Sequence, residues 1–151
     1  MKKCIFCDIV SGIETSYKIW ENKDYLAFLS IYPNTPGVTV VIPKKHYSSY
    51  AFDLEDKELS NLIIASKMVV KQLDSKLPEV GRTALVLEGF GVDHVHAKLF
   101  PMHGTGRLKE WKPIKSDVNK YFNQYEGYIS SHDYKRANDE DLKSMAEKLG
   151  S

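Results

Sequence analysis

Three nitrogen-bearing side chains alternate with small apolar residues at His94, His96 and Lys98. If this segment is a β-strand, alternate side chains point to the same side, so the three would line one surface. An imidazole is a competent nucleophile at neutral pH, and neighbouring cations stabilise charge on a phosphoryl group. The spacing therefore predicts phosphoryl or nucleotidyl transfer. The alternative is that alternating polar residues mark only the solvated face of a half-buried strand.

A second group that can do chemistry is the pair Cys4 and Cys7, the only cysteines in the sequence. In a reducing compartment, two close thiols bind metal or carry out redox chemistry more often than they form a structural disulfide. Both readings are open at this point.

The elements that must position these residues predict an α+β fold. Apolar runs rich in β-branched and aromatic residues predict strands at 17–20, 25–29, 38–42, 83–87 and 95–100. From Asp53 to Pro78, apolar residues recur at intervals of three and four residues, which predicts one long helix. A short N-terminal helix is predicted directly after Cys4. One long helix among sequential strands indicates a mainly antiparallel five-stranded sheet.

Length and charge narrow the class of protein. A chain of 151 residues corresponds to about one domain. Its 21 basic and 20 acidic side chains leave a net charge of +1, so we expect neither a nucleic acid nor a membrane surface as partner. No apolar run reaches the roughly 18 residues of a membrane span, and the Met-Lys-Lys start does not lead into a signal-peptide apolar region. We expect a cytoplasmic protein.

Four local features occur together and in order, and jointly they resemble the histidine triad (HIT) family, whose defining pattern is His-x-His-x-His. They are the Cys-x-x-Cys start at 4–12, the apolar strand at 27–29, the Ile-Pro-Lys-Lys-His strand end at 42–46 and the histidine segment at 94–98. The resemblance covers residues 4–101. It implies a HIT domain with a HIT-like fold at 1–103, and a C-terminal extension at 104–151 that packs on the same domain or on a dimer partner.

The resemblance implies a nucleotide hydrolase in which the middle histidine, His96, is the nucleophile. His96 would attack the α-phosphate of a nucleotide phosphoramidate or a dinucleoside polyphosphate, and water would hydrolyse the nucleotidyl-histidine intermediate. The backbone carbonyl of His94 would orient His96. Two alternatives stay open, a nucleotidyl transferase of the same superfamily and a nucleotide-binding module with reduced catalysis.

The resemblance also implies a structural zinc ion. Bacterial relatives that begin with Cys-x-x-Cys hold zinc with both thiolates and two histidines, which correspond here to Cys4, Cys7, His46 and His94. Two cysteines and two histidines suit a closed tetrahedral zinc site. A thioredoxin-like redox pair is the weaker interpretation, because that motif requires a βαβ context.

The resemblance further implies a purine nucleotide as ligand and a homodimer as the assembly. We expect the base to lie in an apolar slot formed by the N-terminal elements, with phosphate and ribose contacts nearby. The predicted substrate-binding residues are Ile5, Phe6, Ile9, Phe28, Ser30, Gly91 and His103.

Three positions depart from the family pattern. The third triad position is Lys98, a permanent point charge in place of a ring that can give or take a proton. We expect Lys98 to hold a phosphate oxygen and His103 to be a candidate for protonating the leaving group. Ser30 stands where relatives carry a ribose-binding aspartate, and Phe90 and Gly91 stand where they carry Gln-Ser, leaving backbone donors at the phosphate.

The C-terminal third is polar and aromatic, and short helices are predicted at 116–125 and 138–149. Its aromatic side chains would cover the open face of the sheet, pack against a partner subunit or close over the active site.

Overall fold

The computed structural model describes residues 4–106, 113–118, 120–127 and 140. The chain divides into two compact units, Met1–Lys109 and Glu110–Ser151. In the described part of the chain, no helix is long and apolar enough to cross a membrane. The predicted packing of the C-terminal extension stays a prediction.

The first unit contains the predicted five-stranded antiparallel sheet. Its strands are β1 (Lys18–Glu21), β2 (Tyr25–Leu29), β3 (Thr39–Pro43), β4 (Thr83–Val86) and β5 (Ala97–Pro101). They lie in the order β1-β2-β3-β5-β4, and every neighbouring pair is antiparallel. Together with the short helix α1 (Ile5–Val10) and the long helix α2 (Asp56–Lys76), this confirms the predicted α+β class.

The two faces of the sheet bury different helices, because successive side chains of a strand point to opposite sides. One face packs on α2 through Ala27, Val41, Ala97 and Leu99, all less than 1% exposed. The other face carries Leu26, Phe28, Val40 and Ile42 and packs against Phe6 of α1. The buried residues of α2 recur at intervals of three and four residues and are Leu62, Ala65, Ser66, Val69 and Leu73.

The predicted strand 95–100 is shorter at its start than expected, since β5 begins at Ala97. Ala97 pairs with Val41, so the next residues towards the N-terminus lie beside the end of β3 at Pro43. Proline has no backbone N–H to extend the ladder. The backbone N–H of Val95 instead donates to the carbonyl of Tyr47, at 3.1 Å.

Gly89 allows the loop between β4 and β5 to turn tightly against residues after β3. Its φ is +75°, and a Cβ there would lie 2.7 Å from the backbone oxygen of Ser49. The backbone N–H of Ser49 also donates to the Asp93 carboxylate at 3.0 Å. This pairing of loops fixes the segment that carries His94 and His96 before β5 begins.

In the second unit, the helix predicted at 116–125 is wrong over its described residues, which adopt no helix. The Ser116 hydroxyl accepts a hydrogen bond from the backbone N–H of Val118 at 3.0 Å. Such local side-chain bonds give the backbone an alternative to the helical pattern. The helix predicted at 138–149 lies outside the described residues except for Glu140, which is helical.

Candidate active site and metal centre

The side chains of Cys4, Cys7, His46 and His94 converge from three separate parts of the chain. Their ligating atoms all lie within 4.8 Å of one another. The His94 Nδ1 atom lies 3.5 Å from the sulfur of Cys4 and 3.6 Å from that of Cys7, and His46 Nδ1 lies 3.4 Å from Cys7 Sγ. The four residues predicted as metal ligands therefore form one cluster that could hold a metal ion.

The spacing and the protonation of this cluster fit a tetrahedral metal. With metal–sulfur and metal–nitrogen distances typical of zinc, a sulfur and a nitrogen at two corners are about 3.6 Å apart. His94 Nε2 donates to the carbonyl of Pro43 at 2.9 Å, because a carbonyl can only accept. The lone pair of His94 is therefore on Nδ1, which faces the two sulfurs. Such outer hydrogen bonds orient metal-bound imidazoles.

Without a cation, burial and the neighbouring Cys4 thiol raise the pKa of Cys7. A bound cation reverses this effect, since it stabilises the thiolate. Both cysteines are free thiols. The presence of two histidines at the same centre favours metal binding over a redox pair.

His96 is 3% exposed and lies directly beside this cluster. Its Nδ1–H donates to the backbone carbonyl of His94 at 2.8 Å, so the lone pair of the neutral ring is on Nε2. Burial lowers the pKa of His96, opposed by that hydrogen bond, and the charge of Lys98 lowers it further. A neutral imidazole with a free Nε2 is the form that can attack phosphorus.

Phe6 is the apolar support for both imidazoles. Its ring meets the rings of His94 and His96 edge-on, with centroids 5.8 and 5.3 Å apart. Phe28 packs edge-on beneath Phe6 at 5.6 Å. Phe6 and Phe28 are buried, whereas Ile5 is 39% exposed. Of the residues predicted for the base slot, Ile5 is thus the one most open to solvent. Ile9 is partly buried and packs against the apolar cluster that contains Phe6 and Phe28.

Lys98 has a partner that the sequence did not predict. Its ammonium forms an ion pair with the carboxylate of Glu88. Lys98 pairs with Val40 on one side and with Val86 on the other, so Glu88 lies two residues beyond its β4 partner. The antiparallel register of β4 and β5 indicates this contact, because a residue two positions from a cross-strand partner lies diagonally opposite on the same face.

Ser30 and Gly91 lie in loops, outside the helices and strands. The hydroxyl of Ser30 accepts from the backbone N–H of Tyr32 at 3.2 Å, and Ser30 is half-buried. Gly91 has a φ of +90°, and a Cβ there would meet nothing within 4 Å, so its backbone lies in open space.

His103 lies beyond Pro101, at the opposite end of β5 from His96. Both ring nitrogens are hydrogen-bonded, to the carbonyl of Pro36 at 2.8 Å and to the carboxylate of Glu79 at 2.9 Å. These two bonds raise the pKa of His103, and the bonds of Glu79 to its own backbone and to His103 lower the pKa of that carboxyl. The structure does not bring His103 together with the other predicted site residues.

A cavity of about 590 Å³ lies elsewhere, between the β1–β2 turn and α2. Trp20, Tyr25, Tyr47 and Glu58 are among its lining residues. Burial raises the pKa of Tyr25 there to about 12. None of the predicted site residues, all of which the structure describes, lines this cavity.

Comparison with known proteins agrees with the geometry. The family model described as HIT domain matches residues 12–105. The adenosine 5'-monophosphoramidase HNT1 of Saccharomyces cerevisiae is 30% identical over 119 residues, covering 78% of this chain and 75% of the yeast protein. The crystal structure of SMU.412c from Streptococcus mutans has a TM-score of 0.68 at 26% identity, covering 99% of this chain and 84% of that one. A zinc-bound histidine triad protein from Mycobacterium smegmatis has a TM-score of 0.56 at 26% identity, covering 70% and 79%.

Proposed function

Because the chain belongs to the HIT domain family, we propose that it is a hydrolase that acts at the α-phosphate of a nucleotide conjugate. The conjugate is a nucleotide phosphoramidate or a dinucleoside polyphosphate, and His96 is the nucleophile. The observation that carries this proposal is the hydrogen bond from His96 Nδ1 to the carbonyl of His94, which leaves Nε2 free to attack. Similarity to a yeast adenosine 5'-monophosphoramidase supports it.

The chemistry proceeds in two displacements. Nε2 of His96 forms a bond to phosphorus while the bond to the leaving group breaks, and the electron pair departs with that group, which takes up a proton from solvent when it leaves as an amine. Water then attacks phosphorus, the phosphorus–nitrogen bond breaks, and its electron pair returns to Nε2 as the proton of water passes to solvent. The carbonyl of His94 keeps the ring in one orientation and stabilises its positive charge in the intermediate.

We propose that the metal of the Cys₂His₂ cluster is zinc, and that its role is structural. Zinc bound there would join α1 to the loop after β3 and to the segment before His96. A related zinc-bound structure supports this assignment. The chain's own contribution is the fixed tautomer of His94 and the packing of Phe6 on both imidazoles.

We also propose that the ligand is a purine nucleotide in the cytoplasm, with its base near Ile5, Phe6, Ile9 and Phe28. The assembly that we propose is a homodimer. Supporting it, β4 is an edge strand, and its Leu85 is 36% exposed. Unpaired edge strands are common sites of association. Light scattering of the purified protein tests the assembly.

The test of the proposed function compares the wild type with His96→Ala, using adenosine phosphoramidate and diadenosine tetraphosphate. Loss of the nucleophile should lower kcat by about 10³-fold or more. Glu79→Gln is a suitable control, since Glu79 pairs with His103 at the far end of β5. Equal turnover by the wild type and His96→Ala would contradict the proposal.

A further inference from the structure

The cavity between the β1–β2 turn and α2 lies on the opposite face of the sheet from His96. Trp20, which lines the cavity, packs against the apolar cluster that contains Ala97 and faces α2. His96 directly precedes Ala97 and packs against Phe6 on the other face. Because successive residues of an extended chain point to opposite sides, the sheet separates the cavity from the histidines. A molecule bound in the cavity would not contact His96.

Two hydrogen bonds hold α2 in place near the two ends of this cavity. At one end, the Tyr47 hydroxyl donates to the carboxylate of Glu58, in the first turn of α2, at 2.8 Å. At the other end, the side-chain amide of Gln72 donates to the carbonyl of Ile19, the residue before Trp20, at 2.9 Å. The cavity volume of about 590 Å³ is in the range of sites that hold small molecules.

The lining of the cavity has an apolar part and a cationic part. Ile64 and Met68 are exposed, and they belong to the half of α2 that lies nearer to Trp20. The backbone N–H of Lys44 donates to the carbonyl of Asp24 at 2.7 Å, which brings the β1–β2 turn against the residues after β3. This turn, that segment and the start of α2 supply the four lysines that line the cavity, Lys23, Lys44, Lys45 and Lys57.

The cationic part has more positive charge than nearby carboxylates neutralise. Only two carboxylates, those of Asp24 and Glu58, line the cavity beside the four lysines. Lys44 is paired with Glu21 at 2.7 Å. Three of the lysines form no ion pair within the described part of the chain, namely Lys23, Lys45 and Lys57. Since the whole chain has a net charge of only +1, this is a local concentration of positive charge that attracts anions.

We propose that this cavity is a second binding site, for a small molecule that combines an aromatic ring with an anionic group, either a phosphate or a carboxylate. The ring lies against Trp20 and Met68, since aromatic rings and thioether sulfur both favour such contacts. The lysine ammonium groups bind the anion. Aromatic side chains also suit an organic cation, but the four lysines would repel one. This site is separate from the proposed function and does not depend on it.

Trp20 itself reports on the site. The chain has two tryptophans, so Trp111→Phe leaves the fluorescence of Trp20 alone. Adenosine 5'-monophosphate (AMP) and phenylacetate should be titrated separately, with excitation where adenine does not absorb, because these two probes distinguish a phosphate from a carboxylate. We expect at least one of them to change the emission saturably, with a Kd below about 1 mM.

Three control ligands test the two parts of the lining. Adenosine lacks the anion of AMP, inorganic phosphate lacks a ring, and benzylamine is an aromatic cation. Each should bind about tenfold more weakly than the better of the two aromatic anions, because each loses either the charge-assisted hydrogen bonds or the ring contact. Absence of a saturable change with both aromatic anions, or equal affinity for adenosine or benzylamine, overturns the inference.

A charge variant places the ligand in the cavity. The double variant Lys23→Gln, Lys57→Gln removes two ammonium groups from the lining and should weaken binding about tenfold. Lys67→Gln is the control, because Lys67 is an exposed residue of α2 that does not line the cavity. Circular dichroism confirms that each variant is folded. Equal affinities in the double variant and in Lys67→Gln overturn the inference.

Hydrolysis of adenosine phosphoramidate separates this site from the one at His96. The double variant should keep the wild-type KM, because the sheet lies between the cavity and His96. A KM that rises together with the Kd at Trp20 would place the ligand at His96 and overturn the inference. The fluorescence titration needs no turnover, so a protein that hydrolyses neither substrate would contradict the proposed function alone.

Discussion

Removing Cys7, one of the four proposed metal ligands, should destabilise the protein by a calculable amount. The cluster joins α1 to His46 and to His94, which are far apart along the chain. A metal bound to all four side chains is a covalent-like cross-link that restricts the unfolded chain. Cys7→Ser removes one thiolate and with it the tetrahedral donor set.

The magnitude follows from the length of the loop that the metal closes. Cys7 and His46 are 39 residues apart in sequence. The chain-entropy relation for a cross-link that closes such a loop gives about 4 kcal/mol at room temperature. For a chain of this size each kcal/mol corresponds to about 2–4 °C in melting temperature, so Tm should fall by about 10 °C.

The assay combines elemental analysis with thermal unfolding followed by circular dichroism. The wild type should contain about one zinc per chain, and a strong chelator should lower its Tm by about the same amount as Cys7→Ser does. The same chelator should leave the Tm of Cys7→Ser unchanged, because the site is already lost. A wild type that contains no metal, or whose Tm does not respond to the chelator but changes with an oxidant, would show that the cluster holds no structural metal and would favour a redox pair.

Three further predictions concern packing, backbone and pH. Phe6→Ala should lower the free energy of unfolding by about 3 kcal/mol in urea titrations, because it deletes a buried ring, whereas Phe6→Leu should cost about 1 kcal/mol; equal losses would contradict this. Gly89→Ala should cost about 1–3 kcal/mol by the same measurement, since φ is +75° and the new Cβ would lie 2.7 Å from a carbonyl oxygen; no loss would show that the loop relaxes. The pKa of His103 should exceed its ordinary value of 6.5 in an NMR titration and fall in Glu79→Gln. The raised pKa of His103 stabilises the folded protein fully below pH 6.5, and this contribution is lost as pH rises above 6.5 through the folded-state pKa. The lowered pKa of Glu79 stabilises it fully above pH 4.5, and this contribution is lost as pH falls below 4.5 through the folded-state pKa. The stability difference between wild type and Glu79→Gln should therefore be largest between pH 4.5 and 6.5 and shrink beyond either value.

The sheet and the long helix could be predicted because their patterns are local. The helical period over α2 reflects burial of one face, and the β-branched run of β3 reflects burial of both faces. Both patterns of apolar residues can be seen directly in the sequence. The metal cluster could be predicted only with the family resemblance. Cys4 and Cys7 are three residues apart in sequence, but His46 and His94 reach them only through the fold.

The partner of Lys98 could not be predicted from local pattern. Its contact with Glu88 depends on the β4–β5 register and on the loop between these strands, which turns at Gly89. The same holds for His103, whose partners Pro36 and Glu79 come from distant loops. Long-range contacts of single polar side chains leave no periodic signal in the sequence.

The central claim is that His96 becomes covalently attached to a nucleotide during turnover. Rapid mixing of the wild type with adenosine phosphoramidate, quenching in base and mass spectrometry of peptides tests it most directly. We expect a transient adduct of one adenylyl group on the peptide containing His96, formed no more slowly than product and absent in His96→Ala. An adduct on another residue, or product formed in a burst without any adduct on His96, would show that His96 is not the nucleophile.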